Sequence, residues 1–397
     1  MRSCRSVYEP GEDSAMLERY VRRYAKGNVL DMGTGSGIQA IAAAQNKNVS
    51  SVLAADVQKV AVEYCKKSIK NRKIKFLQSD LFRNIKGKFD TIIFNPPYLP
   101  QELKLKDLTI EGGRKGYETI EKFISEVNQF LSREGIVLMV FSSLTKKEKV
   151  EEFIKNNLLE FYELEKTHIF FEDIYVYLLK KANILRELEN KKIKNIKYFT
   201  KGHRGLLYIG DCEIVDRKSR KAVIKKVAIK AKNPQSDAIG RIENEAKWLR
   251  ILNKRGIGPN LLFADKECFV YEFIDGDFIL ERLKNSSKTQ IQKIIRQIFK
   301  QLSVLDCLKV DKEEMHRPLK HIIISGNKPY MLDFERAHFS NKPKNITQFC
   351  QFITSGYMNQ ILGNKKIYID KNKIIRLAKI YKINPNSINF KKILDMI

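Results

Sequence analysis

Asn95-Pro96-Pro97-Tyr98 places a side-chain carbonyl beside a run of backbone carbonyls on a segment stiffened by two consecutive prolines. Each ring fixes φ at about −65° and pushes the residue before it into extended geometry, so these acceptors are set before anything binds. Asn95 Oδ1 and the Pro96 carbonyl could each accept one N–H of a planar nitrogen. Such a nitrogen is a poor nucleophile because its lone pair is delocalised. Gripping both N–H bonds orients it towards an electrophile and stabilises the positive charge that develops on attack. Tyr98 offers a face against which a flat group stacks. Asn-Pro also starts ordinary turns. Context separates the two readings: the apolar strand Thr91-Ile92-Ile93-Phe94 delivers the segment, downstream of a glycine-rich one.

The glycine-rich segment is Asp31-Met32-Gly33-Thr34-Gly35-Ser36-Gly37. Val29-Leu30-Asp31-Met32 reads as a short buried strand, and the three glycines allow a tight turn that brings backbone against a ligand. The next strand, Ser51 to Ala55, ends in Asp56, where an acid can accept both hydroxyls of a ribose. A third, Ile74 to Leu77, leads to Ser79-Asp80-Leu81-Phe82, an acid suited to an adenine amino group. A nicotinamide dinucleotide fits the first two of these features. The glycine spacing, however, departs from the Gly-x-Gly-x-x-Gly that seats a pyrophosphate on a helix. Asp31 would also repel phosphate while attracting the ammonium of S-adenosylmethionine. The expected chemistry is methyl transfer to a planar nitrogen.

Together with Val7-Tyr8-Glu9-Pro10-Gly11-Glu12-Asp13-Ser14-Ala15-Met16-Leu17 at the start and Gly112-Gly113-Arg114-Lys115-Gly116 after the proline segment, these motifs make roughly residues 5–181 resemble the class I methyltransferases. Within them the resemblance is to the HemK-like family, which methylates the glutamine amide of peptide release factors. It implies a Rossmann-like α/β fold with a mostly parallel sheet over residues 1–181. It implies that Asn95, Pro96, Pro97 and Tyr98 carry the substrate amide. It also implies that Pro10, Asp13, Asp31, Gly33, Gly35, Gly37, Asp56, Asp80 and Leu81 hold S-adenosylmethionine. The bacterial members have an additional N-terminal helical domain for which this chain has no room, so the resemblance points to the short archaeal and eukaryotic branch. That branch implies a small zinc-binding activator subunit as partner and a release factor as substrate. The same four-residue signature also serves adenine and guanine amino groups in RNA and DNA methyltransferases, and other amine acceptors, protein lysine included, stay open.

With 397 residues, two or three domains are expected, and a hydrophobic content of 43% is ample for packed cores. No stretch approaches the roughly 18 consecutive apolar residues that cross a bilayer, and the start lacks an apolar signal core, so a soluble cytoplasmic protein with no membrane partner is expected. Cys4, Cys65, Cys212, Cys268, Cys307 and Cys350 include no Cys-x-x-Cys pair, which argues for plain reduced thiols. The net charge of +28 is uneven: residues 1–181 hold 30 Lys and Arg against 24 Asp and Glu, and the remainder 44 against 22. That surplus favours a phosphate-rich partner such as RNA or the ribosome, although a lysine-rich composition throughout the chain accounts for it equally well. Lys180-Lys181 and the polar, helix-like stretch Asn183 to Lys197 mark 182–199 as a linker or the first helix of a second domain over 200–397.

The second half carries its own constellation. Lys201-Gly202-His203-Arg204-Gly205 reads as a glycine turn before a strand, and Val227-Ala228-Ile229-Lys230 as the next strand, ending in lysine. A lysine so placed meets the α- and β-phosphates of ATP in kinases and pairs with a helix glutamate. Glu245 is the candidate here, with Glu243 in reserve. Phe269 to Gly276 would supply the hinge against adenine, and Tyr330-Met331-Leu332-Asp333-Phe334 delivers an Asp for magnesium, with Glu335 in place of the usual glycine. Residues 200–340 thus resemble the protein-kinase superfamily, specifically the small atypical archaeal kinases related to the RIO group. The resemblance implies an α+β bilobal domain with Gly202, Gly205, Lys230, Glu245 and Asp333 at ATP and magnesium on Asp333. The catalytic loop departs from the pattern. Matching His316-Arg317 to His-Arg puts Pro318 where the base belongs. Matching His321 to the magnesium-binding Asn puts His316 at the base and keeps the usual distance to Asp333, which favours the second alignment. Histidine is a poor magnesium ligand, so nucleotide binding is expected ahead of phosphoryl transfer, with an ATPase switch or a pseudokinase scaffold as alternatives. Beyond residue 340, Asn345 to Tyr357 and Lys371 to Ile383 read as amphipathic helices.

Overall fold

The computed structural model describes residues 9–100, 111–169, 171–201, 205–215, 221–232 and 241–397. The chain divides into two compact units, Met1–Tyr198 and Phe199–Ile397.

In the first unit, α1 (Glu12–Tyr24) precedes β1 (Gly27–Met32), α2 (Ile38–Gln45), β2 (Val49–Asp56), α3 (Lys59–Ser68), β3 (Ile74–Gln78) and β4 (Phe89–Phe94). After these come α4 (Glu118–Val127), β5 (Leu131–Ser142), α5 (Lys147–Asn156), β6 (Leu159–Ile169), β7 (Glu172–Lys181) and α6 (Asn183–Asn190). The strands form one sheet in the order β3-β2-β1-β4-β5-β7-β6. β1 to β5 run parallel, and β7 is antiparallel to both neighbours. Strands covered on both faces become continuous apolar runs, and β5 shows it. Ile136, Leu138 and Val140 join Leu17, Val21 and Ala40 on one face, while Val137, Met139 and Phe141 join Ile120, Phe123 and Ile154 on the other. The strand order reverses between β1 and β4, which opens a crevice at their carboxyl ends, where the glycine run and Asn95 follow.

The stretch expected as a linker or single helix over 182–199 is divided. α6 stops at Asn190, Lys192 takes a left-handed φ of +62°, and β8 (Ile193–Lys201) runs extended across the unit boundary. The second unit continues with β9 (Gly205–Val215), β10 (Ala222–Lys232), α7 (Arg241–Leu252), β11 (Leu261–Ala264) and β12 (Cys268–Glu272), whose strands lie antiparallel in the order β9-β10-β12-β11. A mainly helical half follows: β13 (Asp277–Phe278), α8 (Ile279–Lys284), α9 (Lys288–Cys307), β14 (Ile322–Ser325), β15 (Lys328–Met331) and four further helices. Ile291, Ile294, Ile295, Ile298, Phe299, Leu302 and Leu305 recur along α9 at helical spacing, and all are buried. The helix expected over Asn345 to Tyr357 is broken in two, α10 (Asn345–Ile353) and α11 (Gly356–Gly363). Thr354 Oγ1 donates back to Cys350 O, and the Ser355 hydroxyl accepts from Met358 N as a new cap. α12 (Lys371–Ile383) is capped by Asp370, and α13 (Ser387–Leu394) closes the chain. No helix among the described residues is long and apolar enough to cross a membrane. Cys65, Cys212, Cys268, Cys307 and Cys350 are free thiols; Cys4 lies outside the described residues.

Candidate functional site

The glycine run folds back over the ends of β1 and β2: Thr34 N donates to Ala55 O at 3.0 Å and Gly37 N to Thr34 O at 2.7 Å. Gly37 sits at φ +86°, and a Cβ there would lie 2.4 Å from Ile69 Cδ1, so no side chain fits. Above the turn lies a cleft of about 630 Å³ whose lining includes Asp13, Gly33, Gly35, Asp56, Asp80, Leu81, Asn95, Pro96, Pro97 and Tyr98. Asp56 accepts from Gly35 N and Gln58 N, both at 2.9 Å, which leaves lone pairs for further donors. Burial raises its pKa above the ordinary carboxylate value, and those backbone bonds oppose the rise. Leu81 has a left-handed φ of +45°, braced by the Ser79 hydroxyl, which donates to Leu81 O at 2.6 Å. Asp80 pairs with Lys122 at 3.3 Å with both side chains about half exposed.

Three residues expected at the cofactor do not wall the cleft. Asp31 is 1% exposed and turned beneath the turn, where Thr34 Oγ1 donates to it at 2.6 Å. Burial pushes its carboxyl up to about 7, with the Thr34 bond acting against the shift. Gly37 faces Ile69 and Cys65 rather than the cavity. Pro10 is exposed and outside the lining.

Asp13, also expected at the cofactor, holds other protein groups. Its Oδ2 accepts from Asn95 Nδ2 at 3.1 Å and from Tyr98 OH at 3.2 Å, and its Oδ1 from Ser14 N at 2.6 Å. Ser14 Oγ takes Asn95 Nδ2 as well, at 3.1 Å, and Gln39 Nε2 ties down Ser14 O at 2.8 Å. A carboxylate only accepts, so it is the NH₂ of Asn95 that faces Asp13. Oδ1 is the end left without a protein donor among the described residues. Ser14 and Gln39 carry no sequence signal for this role, lying in helices far along the chain from Asn95. The loop after the catalytic strand supports the same segment: a Cβ on Gly112 would stand 2.2 Å from Gly116 O and 2.5 Å from Pro97 O, so backbone packs on backbone. Among the described lining residues the charges are Asp13, Asp56, Asp80, Glu118 and Glu172 against Lys122. Glu172 is held by a hydrogen bond from the Ser142 hydroxyl.

The second unit gathers a separate cluster. Lys230 on β10 pairs with Glu245 on α7 at 2.5 Å and with Asp333, just past β15, at 3.4 Å. Burial works against the Lys230 ammonium, but Glu245 and Asp333 outweigh it and hold its pKa above the ordinary value. Asp333 adopts φ +61°, and Glu245 Oε1 accepts from Phe334 N at 3.3 Å. Lys312, which no motif pointed to, is 2% exposed and donates to Asp333 O at 3.0 Å. His321 Nδ1 lies 3.7 Å from Asp333 Oδ2, and its Nε2 lies 3.2 Å from Glu314 Oε2. Two expectations need correction. His316 is exposed and makes no hydrogen bond or ion pair among the described residues, so it is not placed as a base. Gly205 is paired with Lys232 in the β9–β10 ladder rather than free in a loop. Gly202 lies outside the described residues. Magnesium asks for near-octahedral oxygen ligands. Around Asp333 the second ligand position holds an imidazole, and the Glu314 carboxylate is engaged by Arg336 at 2.7 Å and by His321. The residues present do not fit that ion. No group of three or more His, Cys, Asp or Glu suited to a metal occurs among the described residues.

Residues 9–171 match the methyltransferase small domain family. The chain is 39% identical over 146 residues to the "putative protein N5-glutamine methyltransferase" of Methanocaldococcus jannaschii, covering 35% of this chain and 74% of that relative. It is 42% identical over 77 residues to the release factor glutamine methyltransferase of Streptococcus pneumoniae, covering 19% of this chain and 28% of the relative, well under half of its length. Among solved structures, the E. cuniculi Mtq2–Trm112 complex, responsible for methylation of the eRF1 translation termination factor, aligns over 44% of this chain and 99% of that chain at 26% identity and a TM-score of 0.37. The first unit has a Rossmann-like class I methyltransferase fold.

Proposed function

The chain belongs to the protein N5-glutamine methyltransferase family, and from that premise we propose that its first unit transfers a methyl group from S-adenosylmethionine to the side-chain amide of a glutamine in a peptide chain release factor. When bound, S-adenosylmethionine supplies the methyl on a sulfonium. Asp56 would accept its ribose hydroxyls and Asp80 its adenine amino group. Asn95 Oδ1 and the Pro96 carbonyl grip the two N–H bonds of the substrate amide, and both hydrogen bonds strengthen as positive charge builds on the nitrogen. Tyr98, held by Asp13, walls in the flat amide. The observation that carries this reading is the pair of tethers on Asn95 Nδ2, which point the carbonyl end of that side chain away from Asp13 and Ser14.

Amino methylation of an RNA base is the second reading, favoured by the +28 net charge. The acidic cleft lining supports the protein amide over it, because carboxylates repel backbone phosphates. The experiment is transfer of labelled methyl into a purified release factor and, in parallel, into total RNA, with and without a small zinc-binding activator subunit. Label in the protein that vanishes when the acceptor glutamine is replaced supports the amide reading. Label confined to RNA overturns the substrate while keeping the Asn95 chemistry. Rate that rises only with the small subunit supports that partner.

For the second unit we propose an α+β, bilobal kinase-like module that binds ATP. The antiparallel sheet ahead of a helical half, the Lys230–Glu245 pair and Asp333 after β15 support it. The hinge would be the backbone leaving β12 at Glu272. The surplus of 44 Lys and Arg over 22 Asp and Glu beyond residue 181 supports a contact with RNA on the ribosome, where release factors work in the cytoplasm. The domain limits 1–181, 182–199 and 200–397 belong to this proposal.

A further inference from the structure

We infer that the second unit holds the phosphates of a nucleoside triphosphate with cations of its own chain, Lys230 and Lys312, and needs no divalent metal to do so. This rests on the kinase-like reading of that unit and goes beyond it. In the usual kinase arrangement, one lysine–glutamate pair stands beside two metal-binding side chains, an Asp and an Asn, and a catalytic Asp. Here the place of that Asn is taken by His321, whose Nδ1 is buried without a hydrogen-bond partner and stands 3.7 Å from Asp333 Oδ2. An imidazole nitrogen is a poor substitute for oxygen at magnesium. The nearest further carboxylate, Glu314, already spans Arg336 and His321.

The charge has shifted to match. No carboxylate occupies the base position, where the two alignments put Pro318 or His316, and His316 points into solvent. In its stead a second ammonium is buried at the cluster: Lys312 Nζ donates to Asp333 O at 3.0 Å and lies 4.9 Å over the Phe334 ring. One negative charge fewer and one positive charge more make the cluster two charges more positive than that arrangement, which is what one magnesium ion would bring. The left-handed backbone of Asp333, tied from below by Lys312 and flanked by the Glu245 bond to Phe334 N, keeps this geometry fixed without a metal.

The test is calorimetric titration of the full chain with ATP in excess EDTA and again in excess magnesium. The inference expects dissociation constants within about threefold of each other. It also expects Asp333→Asn to bind ATP in EDTA at least as tightly as the parent, because a carboxylate that repels phosphate has been neutralised. A loss of about tenfold or more in EDTA overturns the inference and leaves the kinase-like reading standing. The same loss on Asp333→Asn in magnesium also overturns it, since that is how a metal ligand behaves. No heat of ATP binding in either buffer, from a chain whose circular dichroism shows it folded, overturns the kinase-like reading and this inference together.

Discussion

Replacing Asp13 by Ala separates orienting the catalytic amide from holding the cofactor. The Asp13 carboxylate accepts from Asn95 Nδ2 at 3.1 Å, and Ser14 Oγ remains as a second acceptor at 3.1 Å in the variant. A hydrogen bond to a charged group contributes about 1.5–3 kcal/mol. With roughly 2 kcal/mol of orienting energy gone, the carboxamide turns away from its productive pose for part of the time, and kcat should fall about 30-fold. Asn95→Ala removes the acceptor itself and should cost about 10²–10³ in kcat, the scale seen when one transition-state hydrogen bond is lost. The assay is single-turnover transfer of labelled methyl into the release factor, with cofactor affinity measured separately by calorimetry. Cofactor affinity should stay within about threefold of the parent. The double variant should be no slower than Asn95→Ala, because Asp13 acts through a side chain that is already absent. A loss of cofactor affinity of about tenfold or more with the saturated rate intact, or full additivity in the double variant, refutes the reasoning and returns Asp13 to the cofactor.

Gly112→Ala drives a Cβ to 2.2 Å from Gly116 O and 2.5 Å from Pro97 O; displacing the proline segment should lower kcat about tenfold or more with only a modest change in Tm, and an unchanged kcat would show that the loop does not support it. The Asp31 carboxyl is lifted from 3.8 to about 7 by burial, so ionising it works against the fold. Stability of the cofactor-free protein should therefore fall as pH rises from about 4 to about 7 and level off above, by an amount on the order of 4 kcal/mol. Asp31→Asn should flatten that decline, gaining on the parent between pH 5 and pH 8, and parallel profiles in urea melts would contradict it. Glu245→Ala strands the Lys230 ammonium in a buried site and should cost about 3–5 kcal/mol in the denaturant transition of the second unit, whereas a loss below about 1 kcal/mol would mean water reaches that lysine freely.

The proline segment and the glycine run were legible because each is local. Their chemistry follows from residue types a few positions apart, and the apolar runs before them mark the strands that carry them. Asp31 could be seen to lie next to the turn, but not that it lies beneath it, since the direction of a side chain at a strand end is decided by the packing of Thr34 over it. The bond from Asp13 to Asn95 joins residues 82 positions apart, and nothing in either neighbourhood announces it. Ser355, by contrast, carried a readable cap signal that divides α10 from α11. Lys312 was invisible for a different reason. A buried lysine is defined by its surroundings, and in a lysine-rich chain its type singles out nothing.

The tethers on Asn95 come from the first turn of α1, an element outside the sheet that joins the core through Met16, Leu17 and Val21. Local opening near a chain end costs less free energy than global unfolding. Catalytic competence and cofactor binding therefore rest on parts of the fold with different stabilities. A peptide or partner that drew α1 away would leave the glycine turn and Asp56 in place, with the cofactor retained and turnover stopped. Activity in this unit would then fade on warming before the sheet melts, as the helix frays.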